Sequence, residues 1–298
     1  WLFFGLSSVH RKQAEYLGIT LSHLFDALGE SLDTGLVIHL ADFDESWVTR
    51  TQEWLKNGFE DEVQANRLHV IHAPERLYPA KEQVFQNTKY GDPPLRQWWR
   101  AKQNVDYAFL MWYAAGLAEY YMQLEDDVQV TPNFLPTVRR FMKEKLTGDA
   151  WVMAAFSKLG FIGKLFDSNR LPKLAEFLFI YHAEAPCDWL VWIFIDAASS
   201  QPVTALISQD LEDEYNQKEN AKRNPNVKKP KSARTDVLLY YKERPPVFLS
   251  SPRSIFQKVT VAPSPLESPI TLSPSSAGTQ VTPNARVFSS MQHWQQYA

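Results

Sequence analysis

Short apolar runs alternate with helical patterns along the first two thirds of the chain. Leu17, Leu21 and Leu24 recur at the three- and four-residue spacing that predicts the apolar face of a helix. The predicted strands are Trp1–Gly5, Gly35–Ala41, Leu68–Ile71, Tyr120–Leu124 and Trp151–Phe156, and the predicted helices are Gln13–Leu28, Trp47–Leu55 and Arg96–Tyr113. This alternation of strands and helices predicts an α/β domain built around an open sheet.

The run Tyr120–Val130, YYMQLEDDVQV, has three consecutive acids where a predicted buried strand ends. Adjacent like charges repel, and burying one of them unpaired costs several kcal/mol, so Glu125, Asp126 and Asp127 favour a cation at this strand end. Mg²⁺ and Mn²⁺ prefer oxygen ligands, and open α/β sheets bind ligands beyond the carboxyl ends of their strands. The alternative interpretation is a solvated acidic turn.

Three cations lie near the start of the predicted helix Arg96–Tyr113, where the helix dipole disfavours positive charge. They are Arg96, Arg100 and Lys102, and the local cost indicates an anionic partner. A diphosphate and an internal carboxylate are the two alternatives. The inner face of this helix is predicted from its apolar side chains, which are Trp99, Val105, Phe109 and Trp112.

Two further segments carry candidate chemistry. Gly160 and Gly163 flank an aromatic and an aliphatic residue, which suits a close approach of the backbone to a ligand. Asp188 follows Pro186 and precedes an apolar run. That position is typical of a helix N-cap, and a carboxylate there is also a candidate general base.

Composition narrows the class of protein. The chain has 298 residues, of which 45% are hydrophobic and 22% charged, as expected of a folded domain with a large core. A net charge of −3 gives no indication of nucleic-acid binding. The chain has one cysteine, so no internal disulfide can form. No apolar run reaches the ~18 to 20 residues of a membrane span, and the opening WLFFGL is expected to be an internal strand of a longer protein.

The character of the sequence changes after about residue 198. We expect a first domain over residues 1–198, followed over 199–261 by a charged loop and a last strand, Asp236–Tyr241, of the same domain. Residues 262–298 are rich in proline and serine, and such a composition buries too little apolar surface to offset the entropy of ordering. This tail is therefore predicted to be disordered.

Several ordered blocks resemble one family of enzymes. They are Gly5-x-x-x-Val9-x-Arg11, the helix start from Arg96 to Tyr107, YYMQLEDD at 120–127, FSKLGFIGK at 156–164, PCDWL at 186–190 and the late block SIFQKV at 254–259. Together they are similar to the N-acetylglucosaminyltransferase IV family. The resemblance implies a GT-A fold, which is a Rossmann-like mixed sheet flanked by helices. It also implies a UDP-GlcNAc donor, an N-glycan acceptor and a type II Golgi membrane protein whose anchor precedes this chain.

The resemblance also implies roles for individual residues. Asp127 is expected to bind Mn²⁺ or Mg²⁺, with Glu125 and Asp126 contacting the ribose or the metal indirectly. Asp188 is expected to be the general base that accepts a proton from the acceptor hydroxyl. The remaining residues expected to bind the nucleotide are Gly5, Arg11, Arg100, Lys102, Gly160 and Gly163.

Two positions depart from the family pattern. Trp192 stands where the family has a second acid after DWL, and Lys258 stands where the late block has a histidine. An ammonium group has no lone pair for a metal ion, although it can pair with a diphosphate. We therefore expect a catalytically weak or inactive relative that binds or regulates other Golgi glycosyltransferases. The alternative is an active transferase that adds GlcNAc in β1,4 linkage to the α1,3-mannose arm of N-glycans.

Overall fold

A mixed sheet flanked by helices forms the centre of the molecule. The computed structural model describes residues 1–11, 16–85, 91–131, 133–146, 151–157 and 160–198, and three later strands. The strands are β1 (Leu2–Ser8), β2 (Thr34–Leu40), β3 (Leu68–Ile71), β4 (Tyr120–Glu125), β5 (Val128–Val130), β6 (Trp151–Ala155), β7 (Lys164–Asp167), β8 (Val237–Tyr241), β9 (Val247–Leu249) and β10 (Phe256–Lys258). The helices are α1 (Leu17–Leu28), α2 (Glu45–Gly58), α3 (Glu60–Gln64), α4 (Lys81–Val84), α5 (Pro94–Ala114), α6 (Phe134–Lys145), α7 (Leu171–Ile180) and α8 (Cys187–Ala198).

The strand order in the main sheet is β3-β2-β1-β4-β7-β6-β8-β9. The first four strands are parallel, whereas β7 is antiparallel to both β4 and β6. The predicted α/β class with a mixed sheet is therefore confirmed. Because β1, β2 and β4 are parallel, their carboxyl ends meet at one edge of the sheet, which is where such sheets bind ligands.

Alternate side chains of each central strand pack into separate cores on the two faces of the sheet, as the two-residue period of a strand requires. Phe4 of β1 and Met122 of β4 belong to one core, which includes α1 and α6. Phe3 and Tyr121 belong to the other, which includes α5, α7 and α8. Both faces of the sheet are therefore covered by helices.

The predicted inner face of α5 is wrong in part. Val105 is fully buried, but Trp112 is 39% exposed, and its ring lies 5.4 Å from that of Phe179 on α7. The residues of α5 that pack into the core include Tyr107, Ala108 and Met111. The size of an apolar side chain alone therefore does not predict the buried face of α5, which depends on how the helix is oriented against the sheet.

The later strands extend this architecture. The predicted strand near Asp236–Tyr241 is present as β8, which pairs with β6 and so joins the main sheet. β10 pairs with β5 directly after the acidic turn, with Lys258 opposite Val128. The predicted tail, residues 262–298, lies outside the described residues. Among the helices that are described, none combines the length and the apolar character needed to cross a membrane.

Candidate active site

The acidic turn after β4 is joined to the end of β1. The two strands are neighbours, with Ser7 opposite Glu125. The Ser8 hydroxyl donates to one carboxylate oxygen of Asp126 at 2.6 Å, and the Arg11 guanidinium donates to the other at 2.5 Å. The side chain of Asp126 is only 4% exposed and that of Arg11 22% exposed, so this ion pair is largely removed from water. Arg11, predicted to bind the nucleotide, therefore contacts the acidic motif directly.

Helix α1 fixes the backbone of the same turn. The Thr20 hydroxyl donates to the Asp126 carbonyl at 2.8 Å and accepts from the Val128 N–H at 3.1 Å. Asp126 and Asp127 are both buried. Asp126 and Asp127 thus occupy a fixed, water-poor turn, and the alternative of a solvated acidic turn is wrong.

The hairpin between β6 and β7 covers Glu125. The Phe161 N–H donates to the Glu125 carboxylate at 3.3 Å. Gly163 continues the sheet, because its N–H donates to the Gln123 carbonyl at 2.7 Å and its carbonyl accepts from the Phe156 N–H at 2.8 Å. Gly160 and Gly163 have φ angles of +35° and +65°, a region that favours glycine. Gly163 therefore approaches the backbone of β4, and the contact of Gly160 and Gly163 with a nucleotide stays a prediction.

Asp188 lies in the first turn of α8, where the charges of Glu125 on β4 and Lys164 on β7 act on it. Its carboxylate accepts from the Trp189 N–H at 3.1 Å. Burial raises the pKa of Asp188, and the charge of Glu125 acts in the same direction, whereas the Trp189 N–H and the Lys164 ammonium oppose the shift. Asp188 is the second residue of the helix and not its N-cap, since Pro186 supplies the carbonyl that begins the helix by accepting from the Leu190 N–H. Asp188 is half-buried, and a partly desolvated carboxylate with a raised pKa is a stronger base than a fully exposed one.

Lys164 is a buried cation beside these acids, and the sequence reasoning did not select it. Its ammonium donates to the Ser157 carbonyl at 2.5 Å, and the residue is 4% exposed. Burial lowers its pKa to about 8, while the charges of Asp188, Glu125 and Cys187 raise it. The signal in the sequence was a charged residue at the start of an apolar strand. The site therefore contains a lysine whose field acts on both the acidic motif and the candidate base.

Arg100 and Lys102 are held by internal carboxylates. Arg100 pairs with Asp92. Lys102 donates to both oxygens of Asp106 at 2.9 Å and also to the Ala41 carbonyl at the end of β2. Its three N–H groups are thereby used inside the protein. Of the two alternatives, the internal carboxylate is correct for both residues, and the predicted contact of Lys102 with a nucleotide is wrong.

Gly5 lies inside strand β1 and not in the loop after it, where a residue that binds the nucleotide was expected. β1 continues to Ser8, so Gly5 is in the middle of the strand. A Cβ atom built on Gly5 would lie 1.9 Å from the hydroxyl oxygen of Tyr121. The glycine accommodates a buried ring, and the prediction that it binds the nucleotide is corrected for that reason.

The acids fit a metal ion only if a ligand supplies the remaining oxygens. Among the described residues, no group of three or more His, Cys, Asp or Glu side chains is arranged to hold a metal. Both carboxylate oxygens of Asp126 already accept hydrogen bonds, one from Ser8 and one from Arg11. Mg²⁺ in phosphate-binding sites needs only one or two protein carboxylates, because phosphates and water complete its coordination shell. Asp127, with Glu125 beside it, is compatible with that arrangement.

The two departures from the family pattern lie in different surroundings. The backbone of Lys258 is in register with Val128, the residue after Asp127, so the late block lies beside the acidic turn. Trp192 is half-buried and packs against the core that contains α5 and α7. It follows Asp188 by one turn of α8 and therefore lies on the same side of the helix.

Comparison with known proteins gives consistent matches. The MGAT4 conserved region matches residues 1–222. The alpha-1,3-mannosyl-glycoprotein 4-beta-N-acetylglucosaminyltransferase C of Macaca fascicularis is 44% identical over 196 residues, which is 65% of this chain and 40% of that protein. The alpha-1,6-mannosyl-glycoprotein 4-beta-N-acetylglucosaminyltransferase of Gallus gallus is 41% identical over 65% of this chain and 42% of its own length. The chain thus spans about 40% of the length of these relatives.

Solved structures show weaker similarity. S. aureus TarS 1–349 in complex with UDP has a TM-score of 0.36 and 11% identity, covering 64% of this chain and 54% of that one. Mouse xyloside xylosyltransferase 1 has a TM-score of 0.35 and 12% identity, covering 65% of this chain and 74% of that one. The family match over residues 1–222 covers well over half of the sequence, and the chain therefore belongs to the MGAT4 family of N-acetylglucosaminyltransferases.

Proposed function

We propose that this chain carries the UDP-GlcNAc-binding and catalytic site of an N-acetylglucosaminyltransferase that acts on N-glycans. The observation that carries the proposal is that the charge of Glu125, at the end of β4 beside the buried Asp126 and Asp127, acts on the carboxylate of Asp188 on α8. The names of its relatives support the donor sugar and the mannose-containing acceptor. The acceptor arm, a lumenal Golgi location and partners among other Golgi glycosyltransferases belong to the proposal.

In this proposal Asp188 accepts the proton of the acceptor hydroxyl as that oxygen attacks the anomeric carbon. Its half-buried position and raised pKa make it a stronger base than an exposed carboxylate. Lys164 supplies a fixed positive field beside Glu125 and Asp188, which limits how far the pKa of Asp188 rises. Arg11, held against Asp126, adds positive charge at the place where a diphosphate would lie.

Asp127 would hold a divalent ion, with Glu125 next to it. When bound, such an ion neutralises negative charge on the leaving diphosphate. The buried, largely dehydrated position of Asp127 strengthens its interaction with any cation.

The decisive experiment measures hydrolysis of UDP-GlcNAc and its transfer to a biantennary N-glycan, with and without Mn²⁺. We expect Asp188→Asn to lower turnover by at least about 100-fold, as loss of a general base does, while leaving UDP affinity unchanged. Asp127→Ala should lower UDP affinity in Mn²⁺ but not in EDTA. Asp26→Asn, on the exposed side of α1, is the matched control and should behave as wild type. Equal UDP affinity with and without metal, together with no effect of Asp188→Asn, would refute the proposal.

A second candidate function is a weakly active or inactive relative that regulates other Golgi glycosyltransferases. It is favoured by Lys258, which lies in the strand beside the acidic turn where the family has a histidine. Loss of even an indirect metal-supporting group costs about 10- to 100-fold. Turnover should then be very low in wild type and rise when Lys258→His and Trp192→Asp are combined. Wild-type turnover at the rate of an ordinary glycosyltransferase would eliminate this candidate.

A further inference from the structure

A buried side chain of α5 donates hydrogen bonds to the segment that leads into Asp188. This segment, residues 181–186, joins α7 to α8 and is called the α7–α8 junction below. Asn104 of α5 donates its two amide hydrogens to the carbonyls of His182 and Ala185, both at 2.8 Å. Ala185 lies three residues before Asp188. The backbone of the junction is thus fixed by contacts with a helix more than 70 residues away in sequence.

The environment of Asn104 indicates that the two N–H groups of its side-chain amide stabilise the fold. The residue is fully buried. Both neighbouring groups are carbonyls, so the orientation of the amide is determined by chemistry. Its Oδ1 atom has no hydrogen-bond partner in the described part of the chain. An unpaired buried acceptor is costly, so the benefit of this amide lies in the two bonds to the junction.

The same stretch of α5 also supports the acidic motif. The Gln103 side chain lies 4.0 Å from the thiol of Cys187, at the start of α8. Tyr107, one turn after Asn104, packs its ring edge-on against the ring of Phe161, with 4.9 Å between the two ring centroids. The Phe161 N–H in turn donates to Glu125. One helix therefore holds both the candidate base and the cover of the acidic motif.

We propose that Asn104 is a positioning residue that fixes the α7–α8 junction and thereby sets the place of Asp188 relative to Glu125. The functional part of this inference rests on the proposed transferase activity. The structural part does not, because it concerns only how tightly the junction is closed.

Cys187 gives a direct test of the structural part. It is the only cysteine of the chain, it is buried, and burial raises the pKa of its thiol, so alkylation requires the junction to open. The test measures the iodoacetamide reaction rate of the native protein, which should rise about 10- to 30-fold in Asn104→Leu, since two buried hydrogen bonds are lost. If Asn104→Leu does not fold, Asn104→Ser, which keeps one donor, should show a smaller rise.

Gln97 provides the matched control. It is a buried amide on the same helix and donates to a carbonyl elsewhere, that of Asp92, at 2.9 Å. We expect both Asn104→Leu and Gln97→Leu to lower Tm. Only Asn104→Leu should raise the alkylation rate, and Gln97→Leu should leave that rate at the wild-type value. A wild-type rate in Asn104→Leu, or an equal rise in Gln97→Leu, overturns the proposal.

Kinetics separates positioning from general destabilisation. With Asn104→Leu, we expect turnover of UDP-GlcNAc to fall about 10- to 100-fold while UDP affinity is unchanged, because a misplaced base slows the proton transfer and the donor contacts remain. Faster alkylation with unchanged turnover would confirm the structural clamp and refute the positioning of Asp188. If the wild type shows no turnover, the proposed function fails, and the alkylation rates still decide whether Asn104 closes the junction.

Discussion

The close packing of Gly5 against Tyr121 yields a quantitative prediction about the sheet. A Cβ atom at position 5 would lie 1.9 Å from the Tyr121 hydroxyl oxygen and 2.5 Å from Cζ, distances that real Cβ atoms do not reach. The ring cannot turn away freely, because Tyr121 is fully buried and its hydroxyl donates to Gln123 at 2.5 Å. Gly5→Ala must therefore shift either the ring or strand β1.

Two contributions determine how far Gly5→Ala lowers the free energy of unfolding. Overpacking a close-packed core costs about 1–3 kcal/mol, and losing the Tyr121 hydrogen bond adds about 1 kcal/mol. We expect Gly5→Ala to lower the free energy of unfolding by about 3 kcal/mol, which corresponds to a fall in Tm of roughly 6–12 °C for a domain of this size. In the folded variant, UDP affinity should stay unchanged, because Gly5 lies inside the strand.

A double-mutant cycle with Tyr121→Leu tests the reasoning by urea unfolding. Once the ring is removed, Gly5→Ala should cost less than about 1 kcal/mol, so the two substitutions should couple by about 2 kcal/mol. Gly58→Ala is the control, because the nearest atom to a Cβ there is 4.0 Å away, and it should be neutral or stabilising. Additive costs for Gly5→Ala and Tyr121→Leu, or a loss of UDP affinity without a loss of stability, would refute the interpretation.

Two further predictions concern buried charges. The pKa of Lys164 falls from 10.5 to about 8 in the folded protein, so between these pH values the unfolded chain binds more protons and the folded state gains stability as pH rises. Relative to Lys164→Met, the wild type should gain about 3 kcal/mol from pH 7.5 to 10.5 in urea unfolding, and parallel pH profiles would contradict the shift. Asp126→Asn should lower the free energy of unfolding by about 2–3 kcal/mol, less than the loss of a fully buried ion pair, because Arg11 is partly exposed. Adding Arg11→Met should restore part of that stability, as measured by thermal unfolding. A cost below about 0.5 kcal/mol for Asp126→Asn would show that the pair is solvated.

The sequence allowed much of the fold to be predicted because the signals are local. The strand Leu68–Ile71 has the predicted bounds, and α5 begins two residues before its predicted start. The acidic turn follows β4 as expected, because a run of apolar residues followed by carboxylates marks where a strand leaves the core. Periodicity over a few residues is sufficient for these features, since it does not depend on which elements pack together.

The contacts of the site depend on distant residues and were not predictable in the same way. Lys164 and Asp188 come together only because the β6–β7 hairpin meets α8. Gly5 approaches Tyr121 only because β1 pairs with β4. The ion pair of Lys102 is different, because its partner Asp106 follows it by only four residues on the same helix. That spacing favours an ion pair and is visible in the sequence.

The two departures from the family pattern are not equivalent in this structure. Trp192 lies one turn after Asp188 on the same side of α8 and packs against the core. A second acid there would raise the pKa of Asp188 by charge repulsion, and apolar cover raises it by desolvation. Both residues therefore favour a basic Asp188. The backbone of Lys258 instead lies in the strand that pairs with Val128, the residue after Asp127. An ammonium group repels a metal ion and attracts a diphosphate. Position 258 is therefore the more direct test of the metal site, because its backbone pairs with the residue that follows Asp127.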